Sequence, residues 1–212
     1  PEALLFGIMA KESGGKVHAV SQSGAAGPLQ FMYHTGLRFG LNNQNGFDTR
    51  YDPAAAARAN VAYLSEQFHY LNNNLEMALA AYNGGEGRMR RLAKSSRSKN
   101  FWSGDIFAQL PRETQEYVPY VLAAAWLFLH PEDYGLEFPR VDASPGQVQL
   151  VKAMTLSELT VCLGQAGSRD GWFRTLRNLN PRVDPNKRLP AGSAVAMPEL
   201  LVDVYRNQCV DG

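Results

Sequence analysis

The sequence predicts a mainly α-helical lobe over residues 1–139, followed by a small α+β module over residues 140–212. Apolar residues recur at helical spacing through the first two thirds of the chain, and no convincing strand run occurs before about residue 145. After Pro139 the composition changes, and residues 141–146 read as a linker containing proline and glycine. A hydrophobic share of 45% in 212 residues is ample for a core.

The first helix is predicted from Pro1 to Lys11, where apolar residues recur at helical spacing, and Gly14 and Gly15 end it. Glu12 therefore lies where a core-facing helix meets a loop of small residues, and no other Asp or Glu occurs from Ser13 to Phe47. We expect burial to raise the pKa of this carboxyl, which suits it to donate a proton near neutral pH. The alternative is a solvated or capping glutamate.

Four further helices are predicted in the lobe. One spans Pro28 to Phe39, with an apolar face formed by Leu29, Met32, Tyr33 and Leu37. The next is opened by an N-cap and a first-turn proline, Asp52-Pro53, and continues through the apolar positions Val61, Leu64, Phe68 and Leu71.

The other two helices lie further along the chain. Asn74 can cap a short helix from Leu75 to Tyr82, which breaks at Asn83-Gly84-Gly85. Pro111 opens a long apolar helix that ends before Pro131.

The module reads as strand, helix, helix, strand. The apolar run Val148–Val151 is the first strand, and Thr155 with Glu158 forms a capping box that starts the first helix. The second helix spans Trp172–Leu179, and the last strand lies in Val195–Pro198.

Two cysteines, Cys162 and Cys209, permit one disulfide. We predict that they are bonded, which would hold a C-terminal helix containing Leu201 and Tyr205 onto the module. Two buried free thiols are the alternative.

Composition and spacing exclude several functions. A net charge of +1 gives no electrostatic case for nucleic acid. The four histidines are isolated, and no phosphate-cradling glycine loop is present, so we expect no metal and no cofactor. The longest apolar stretch, Tyr117–Leu129, contains Pro119 and is too short for a bilayer, so any targeting signal or membrane anchor is expected outside this chain.

Short motifs in a fixed order carry a resemblance to a known family. They are Glu12-Ser13, Ser21, Gly27-Pro28-Leu29-Gln30-Phe31-Met32, Ala81-Tyr82-Asn83-Gly84-Gly85 and Glu113-Thr114-Gln115-Glu116-Tyr117-Val118-Pro119. Together they resemble the catalytic domain of lytic transglycosylases, a peptidoglycan-cleaving branch of the goose-type lysozyme superfamily, and look most like its membrane-bound D group. The resemblance covers Pro1 to Pro139 and implies a lysozyme-like helical lobe.

The resemblance implies a reaction with one protein carboxyl. Glu12 would protonate the bond between N-acetylmuramic acid and N-acetylglucosamine, and then accept the proton of the muramoyl C6 hydroxyl as a 1,6-anhydro ring closes. One alternative is a hydrolytic goose-type lysozyme, in which Asp48 or Asp52 would activate water. The other is a non-catalytic wall-binding protein.

Matching positions imply the rest of the site. Ser21, Gln30 and Met32 would line the cleft, Tyr82 would help to hold the acid or the intermediate, and the remaining matches are Asn83, Glu113 and Tyr117. The same residues have structural alternatives. Ser21 can serve a turn, Met32 and Tyr117 can belong to the core, and Asn83 can cap a helix. Glu113 can cap the long helix or pair with a basic residue.

The module resembles a lysin-motif (LysM) peptidoglycan-binding unit, because Leu179-Asn180-Pro181 precedes its last strand. The Gly-Asp that usually precedes the first helix is replaced by Lys152-Ala153-Met154, and a packing appendage is the alternative. Peptidoglycan strands are the implied partner, and the bacterial cell envelope, in particular the periplasm, is the implied location.

A basic run in the helical lobe is expected to be a solvated helix face, with attraction to anionic stem peptides as the alternative. Its members are Arg88, Arg90, Arg91, Lys94, Arg97 and Lys99.

Overall fold

The computed structural model describes residues 2–138 and 145–210. These residues group into two compact units, the first built from residues 2–15 and 19–137 and the second from residues 16–18, 138 and 145–210. The helices of the first unit are α1 (Glu2–Glu12), α2 (Tyr33–Arg38), α3 (Pro53–Tyr70), α4 (Leu75–Gly84), α5 (Glu86–Ser95), α6 (Gly104–Phe107) and α7 (Arg112–Leu129), with 3-10 turns at Thr49–Tyr51 and Glu132–Tyr134.

The first and last long helices of this unit pack closely against each other. Leu4 and Ile8 of α1 are buried, and so are Val118 and Val121 of α7. A Cβ atom at Gly7 would lie 2.5 Å from the Val121 carbonyl oxygen, so no larger residue fits between the two backbones. The predicted helix before Gly14 is confirmed, and its end brings Glu12 beside α7.

The predicted starts of the later helices are confirmed. The Asp52 carboxylate accepts hydrogen bonds from the backbone amides of Ala54 and Ala55, at 3.0 Å each. The Asn74 side chain accepts a 2.8 Å bond from the amide of Met77, and α7 begins directly after Pro111.

The predicted apolar face of α3 is wrong in part. Val61 and Phe68 are exposed, whereas the buried side of the helix consists of Ala56, Ala59, Asn60, Tyr63 and Gln67. Two of these buried residues are alanines and two carry amides, so the hydrophobic periodicity of this side is weak.

The predicted helix over Pro28–Phe39 is wrong in its first half. The segment before Tyr33 is a turn, in which the amide of Gln30 donates to the Gly27 carbonyl at 3.2 Å and Gln30 has φ +51°. Phe31 pairs with Ala26 through two 3.0 Å backbone bonds, which leaves only Tyr33–Arg38 helical.

A short hairpin precedes residue 145, contrary to the expectation of no strand there. Strand β1 (Asn43–Gln44) pairs antiparallel with β2 (Phe47–Asp48). Asn45 and Gly46 connect the two strands with φ of +53° and +81°, as a tight two-residue hairpin turn requires.

The second unit is built from strands β3 (Pro145–Gln149) and β4 (Ala194–Pro198) and helices α8 (Leu156–Leu163), α9 (Phe173–Leu179) and α10 (Leu200–Val204), which a π-helical turn extends over Tyr205–Val210. The two strands pair antiparallel from Pro145–Pro198 to Gln149–Ala194. The capping box of Thr155 and Glu158 is confirmed at the start of α8.

The predicted disulfide is confirmed, because Cys162 of α8 is bonded to Cys209. The predicted linker is wrong at its end, where Pro145 and Gly146 belong to β3, and residues 141–144 lie outside the described residues. Buried Asn180 ties α9 to β4, since its Nδ2 donates to the Ala196 carbonyl at 2.7 Å and its Oδ1 accepts from the Ala196 amide at 2.9 Å.

Candidate active site

Glu12 is partly buried at the end of α1, where the Tyr117 hydroxyl of α7 donates a 2.7 Å hydrogen bond to its Oε1 atom. Burial raises the pKa of Glu12 to about 7, against the lowering effects of the Tyr117 hydrogen bond and of the Lys11 charge. The charge of Glu113 contributes a smaller raising effect on the same pKa. The direction agrees with the expectation from the sequence, and Glu12 is therefore part protonated near neutral pH.

The chain after Glu12 is held by its neighbouring serine. The Ser13 hydroxyl donates a 2.7 Å bond to the Pro28 carbonyl and accepts a 3.2 Å bond from the amide of Gly15. Gly14 and Gly15 both have positive φ, which releases the chain from the helix. Ser13 thus connects the helix end that carries the acid to the loop before α2.

Ser21 and Gln30 shape that loop. Nε2 of Gln30 donates to the carbonyls of Ala19 and Gly27, at 3.1 and 2.8 Å, and Ser21 Oγ accepts a 2.9 Å bond from the amide of Ala25. Ser21 therefore has the turn contact named as its alternative, and both residues also line the cleft described below.

The end of α4 supplies two residues. The Tyr82 hydroxyl donates a 2.6 Å bond to the Leu29 carbonyl, and burial followed by the charge of Glu12 raises the pKa of Tyr82 well above its usual value. Asn83 is bonded to α7 twice, because its Nδ2 donates to Glu113 Oε1 at 3.1 Å and its Oδ1 accepts from the Thr114 hydroxyl at 2.8 Å.

These residues surround a cleft of about 420 Å³. Among the predicted residues its lining includes Glu12, Ser21, Gln30, Met32, Tyr82, Asn83 and Glu113. Tyr117 lies behind Glu12, buried and in contact with its carboxyl. Met32 is 46% exposed, so its predicted core alternative is wrong.

Several cleft residues were not predicted from the sequence: Ser23, Ala25, Phe31, Thr35, Arg38, Tyr63, Ala81, Gly85 and Glu86. Arg38 is paired with Glu86 at 2.6 Å and with Glu66 at 2.9 Å, and Glu66 is also paired with Arg90 at 3.0 Å. These contacts join α2, α3 and α5, and the residues are too far apart in sequence for spacing to reveal them.

The two acids considered for activating water are not in the cleft. Asp48 is paired with Arg50 at 2.6 Å, and Asp52 caps α3. The cleft carboxylates besides Glu12 are Glu86, which is paired with Arg38, and Glu113. Glu113 was predicted as a substrate-binding residue, with a structural role at the start of the long helix as the alternative.

Asn60 lies behind the site on α3. The residue is fully buried, and neither of its amide atoms reaches a hydrogen-bond partner in regular geometry among the described residues. Its amide nevertheless lies beside the Tyr82 phenol and lowers the pKa of that group, against the larger raising effect of burial.

The described part of the chain contains no group of three His, Cys, Asp or Glu side chains that is arranged to hold a metal ion. Within the same residues, no helix has both the length and the apolar character needed to cross a membrane.

Comparison with known proteins relates the helical unit to a family. Residues 1–104 match the family model of the Transglycosylase SLT domain. Membrane-bound lytic murein transglycosylase D of Escherichia coli (strain K12) is 32% identical over 137 residues, which cover 63% of this chain and 29% of that protein. Membrane-bound lytic murein transglycosylase C of Yersinia enterocolitica is 32% identical over 127 residues, or 51% of this chain and 36% of that protein.

A solved structure agrees with the sequence matches. The X-ray structure of an inactive mutant of the lytic transglycosylase Slt from Pseudomonas aeruginosa has a TM-score of 0.51 and 28% identity, over 65% of this chain and 22% of that one. The helices and cleft thus define a lysozyme-like domain. Over residues 1–104 the sequence matches a transglycosylase SLT domain, and the helical unit is homologous to part of the lytic murein transglycosylases. It spans 29% of the length of the E. coli relative.

Proposed function

We propose that this chain is the catalytic part of a peptidoglycan lytic transglycosylase, which cleaves the β-1,4 bond between N-acetylmuramic acid and N-acetylglucosamine. The observation that carries the proposal is Glu12, a partly buried carboxyl with a pKa of about 7 that lines a cleft in an SLT domain. Such a group exists in both protonation states near neutral pH, so it can give a proton and then take one back.

The reaction needs both abilities. Protonated Glu12 gives its proton to the glycosidic oxygen, and the bond to the muramoyl C1 breaks with positive charge developing at that carbon. Ionised Glu12 then accepts the proton of the muramoyl C6 hydroxyl while the C6 oxygen bonds to C1. The glycan ends as a 1,6-anhydro sugar, no water is consumed, and Glu12 is protonated for the next turnover.

The residues around Glu12 support these steps. The Tyr117 hydroxyl donates to Glu12 Oε1 and stabilises the ionised form that follows the first proton transfer. Tyr82 anchors the segment at Leu29 that runs beside the acid. We infer that the cleft-lining polar groups of Ser21, Gln30, Asn83 and Glu113 contact the sugars, together with the exposed Met32.

Intramolecular capture favours the anhydro product over hydrolysis. A well-oriented internal nucleophile reaches an effective molarity of about 10⁵ M or more, which exceeds the concentration of water. Asp48 and Asp52 are engaged elsewhere, so neither is available to activate water in the cleft.

We further propose that the second unit is a LysM-like module and that the protein acts on peptidoglycan in the bacterial cell envelope, in the periplasm. The order β3, α8, α9, β4 and the pairing of the two strands support the module assignment. The names of the E. coli and Yersinia relatives, membrane-bound lytic murein transglycosylases, support the location.

The test is the chemistry of the new glycan ends. Purified sacculi are digested with the protein, and the soluble muropeptides are analysed by mass spectrometry before and after borohydride reduction. We expect products that are lighter by one water than hydrolysed ends and that resist reduction. Reducible muramic acid ends as the main product would establish a lysozyme instead, and Glu113 would then be the carboxylate to examine as the activator of water.

A further inference from the structure

The short helix α2 forms part of the cleft wall with little apolar packing of its own. Met32 directly before it, Thr35 within it and Arg38 at its end all line the cleft. Within α2, which is described in full, Gly36 is the one buried residue, and Leu37 is 43% exposed. The wall that these residues form therefore needs other contacts to fix its position.

The chain is anchored on either side of α2. Phe31 before the helix and Leu41 after it are each 2% exposed. A helix of six residues adds little between these anchors, because isolated helices shorter than about 12 residues are marginal in water. The position of α2 thus depends on the contacts that its side chains make.

Arg38 makes the strongest of these contacts. Its Nη1 atom donates to Glu86 Oε1 at 2.6 Å, and its Nη2 atom donates to Glu66 Oε1 at 2.9 Å. The two carboxylates belong to α5 and α3, so one side chain ties α2 to two other helices. Hydrogen bonds between charged groups are about twice as strong as neutral ones. At the start of α2 the Arg50 guanidinium lies 5.5 Å from the centre of the Tyr33 ring, which is a weaker contact.

The two carboxylates are fixed by contacts that do not involve Arg38. Nε2 of Gln67, a fully buried residue, donates to Glu66 at 3.0 Å and to Glu86 at 3.1 Å. Nη2 of Arg90 donates to Glu66 Oε1 at 3.0 Å and to Gln67 Oε1 at 3.2 Å. We call Glu66, Gln67, Glu86 and Arg90 the carboxylate socket. It joins α3 to α5, so we expect it to persist when Arg38 is removed.

The charges of the carboxylate socket favour a cation from α2. Its two carboxylates and one guanidinium have a net charge of −1, and Arg38 brings the cluster to neutrality. A planar guanidinium that enters a site of fixed acceptors loses less conformational entropy for each hydrogen bond than a lysine would. Arg38 is therefore suited to hold α2 in one position.

We propose that Arg38 is a positioning residue for the substrate: it occupies the carboxylate socket and fixes α2, with Met32 and Thr35, against the glycan strand in the cleft. The inference rests on the proposed function and adds a regulatory feature to the same site, the sensitivity of strand binding to ionic strength. Glu12 and Tyr117 lie on α1 and α7, so the proton transfers do not depend on the socket. Loss of Arg38 should raise KM and leave kcat nearly unchanged.

The first test measures kcat and KM on soluble glycan strands. For Arg38→Met we expect KM to rise about fivefold, from the loss of two partly exposed ion pairs, and kcat to stay within about twofold. Arg38→Lys keeps the charge but not the planar fork and should give an intermediate KM. In 0.5 M salt the KM of the wild type should approach that of Arg38→Met.

A second variant separates positioning from net charge. Arg38→Met/Glu66→Gln restores the neutrality of the cluster without restoring the contact between α2 and the socket, and Glu66 does not line the cleft. Its KM should remain as high as that of Arg38→Met. The control is Arg112→Met, which breaks an exposed ion pair with Glu116 outside the cleft and should keep the wild-type KM.

The third measurement does not depend on activity. Amide hydrogen exchange over Tyr33–Arg38 should be about fivefold faster in Arg38→Met, by the same loss of ion pairs, while exchange in α7 stays at the wild-type rate. A wild-type KM or wild-type α2 exchange in Arg38→Met would overturn the inference, as would recovery of the wild-type KM in Arg38→Met/Glu66→Gln. Failure of the wild type to cleave the strands would overturn the proposed function, and the exchange rates would still decide whether Arg38 fixes α2.

Discussion

Tyr117 and Glu12, 105 residues apart in the sequence, are joined by a 2.7 Å hydrogen bond from the phenol to the carboxyl Oε1. The tyrosine is 1% exposed, so the hydrogen-bond donor on this side of the carboxyl is a protein hydroxyl rather than water. A bond donated to a carboxylate favours the ionised form and lowers the pKa. Burial has the larger and opposite effect, and the balance leaves the pKa of Glu12 at about 7.

Tyr117→Phe is expected to move the alkaline limb of the pH–rate profile upward. Without the phenol the ionised form of Glu12 loses its donor, so the pKa of Glu12 rises further while the ring still fills its place in the core. We also expect kcat to fall, because the base of the second step is no longer held in position. An alkaline limb at its wild-type position would show that the hydrogen bond does not govern the acid.

Glu12→Gln is expected to abolish wall-lytic activity and to preserve the fold. General acid catalysis alone contributes about 10²–10⁴-fold, and here one residue serves both proton transfers. Zymogram clearing and circular dichroism measure the two properties. The matched control is Glu116→Gln, which removes an exposed glutamate that is paired with Arg112 and should clear normally. Clearing by folded Glu12→Gln at wild-type strength would refute the assignment of the acid.

Glu12 should also make the protein less stable as pH rises. Its pKa is about 7 in the folded state against an ordinary value of 4.5, so between these values the folded state binds more protons than the unfolded state. The free energy of unfolding should therefore fall from pH 4.5 to 7, by on the order of 3 kcal/mol, and then level off. Urea unfolding of wild type and Glu12→Gln across this pH range measures the change in the free energy of unfolding. Parallel plots of that free energy against pH for the two proteins would contradict the prediction.

Asn60→Leu is expected to separate stability from activity. Removing a buried amide without regular partners should raise the free energy of unfolding by about 1 kcal/mol. Because the amide lies beside the Tyr82 phenol, its loss should lower kcat by about tenfold through misplacement of the groups around Glu12. Thermal unfolding and steady-state kinetics give the two values, and a stabilised variant with wild-type kcat would show that Asn60 has no role in catalysis.

The disulfide should stabilise the second unit. Cys162 and Cys209 are separated by 47 positions, and closing a loop of that length stabilises the folded state by about 4 kcal/mol on the chain-entropy account. Cys162→Ala/Cys209→Ala is expected to lose most of this when its unfolding is compared with that of oxidised wild type. Reduced wild type is the control and should resemble the double variant. Equal stability of the oxidised and reduced proteins would contradict the prediction.

Local signals in the sequence were enough to predict the positions of most of the longer helices, because caps and helix-breaking residues act over a few residues. Asp52-Pro53 and Asn74 predicted their helices correctly. Pro28–Phe39 was predicted as a helix because its apolar residues recur at helical spacing. That spacing does not indicate the left-handed backbone conformation of Gln30, which is incompatible with a helix there. The hairpin at Asn45-Gly46 was missed, although an Asn-Gly pair is a strong hairpin signal.

The site shows the same contrast between local and distant information. Glu12 was found because its helix end and the absence of nearby acids are local features, and the family motifs supplied its neighbours. The pairing of Arg38 with Glu86 and the position of Asn60 behind Tyr82 depend on how distant helices pack. No spacing within one segment contains that information.

Because of Gly7, the position of the Glu12 carboxyl depends on how closely the backbones of α1 and α7 approach each other. The two helix backbones meet there, and Glu12 follows on the same rigid helix. Any side chain at position 7 would push α1 away from α7, and the carboxyl would move with it, away from a phenol that belongs to the other helix. Hydrogen bonds weaken over a few tenths of an ångström. Inactive proteins can therefore arise from substitutions that leave every polar group of the cleft intact, and a survey confined to chemically reactive side chains would overlook this position.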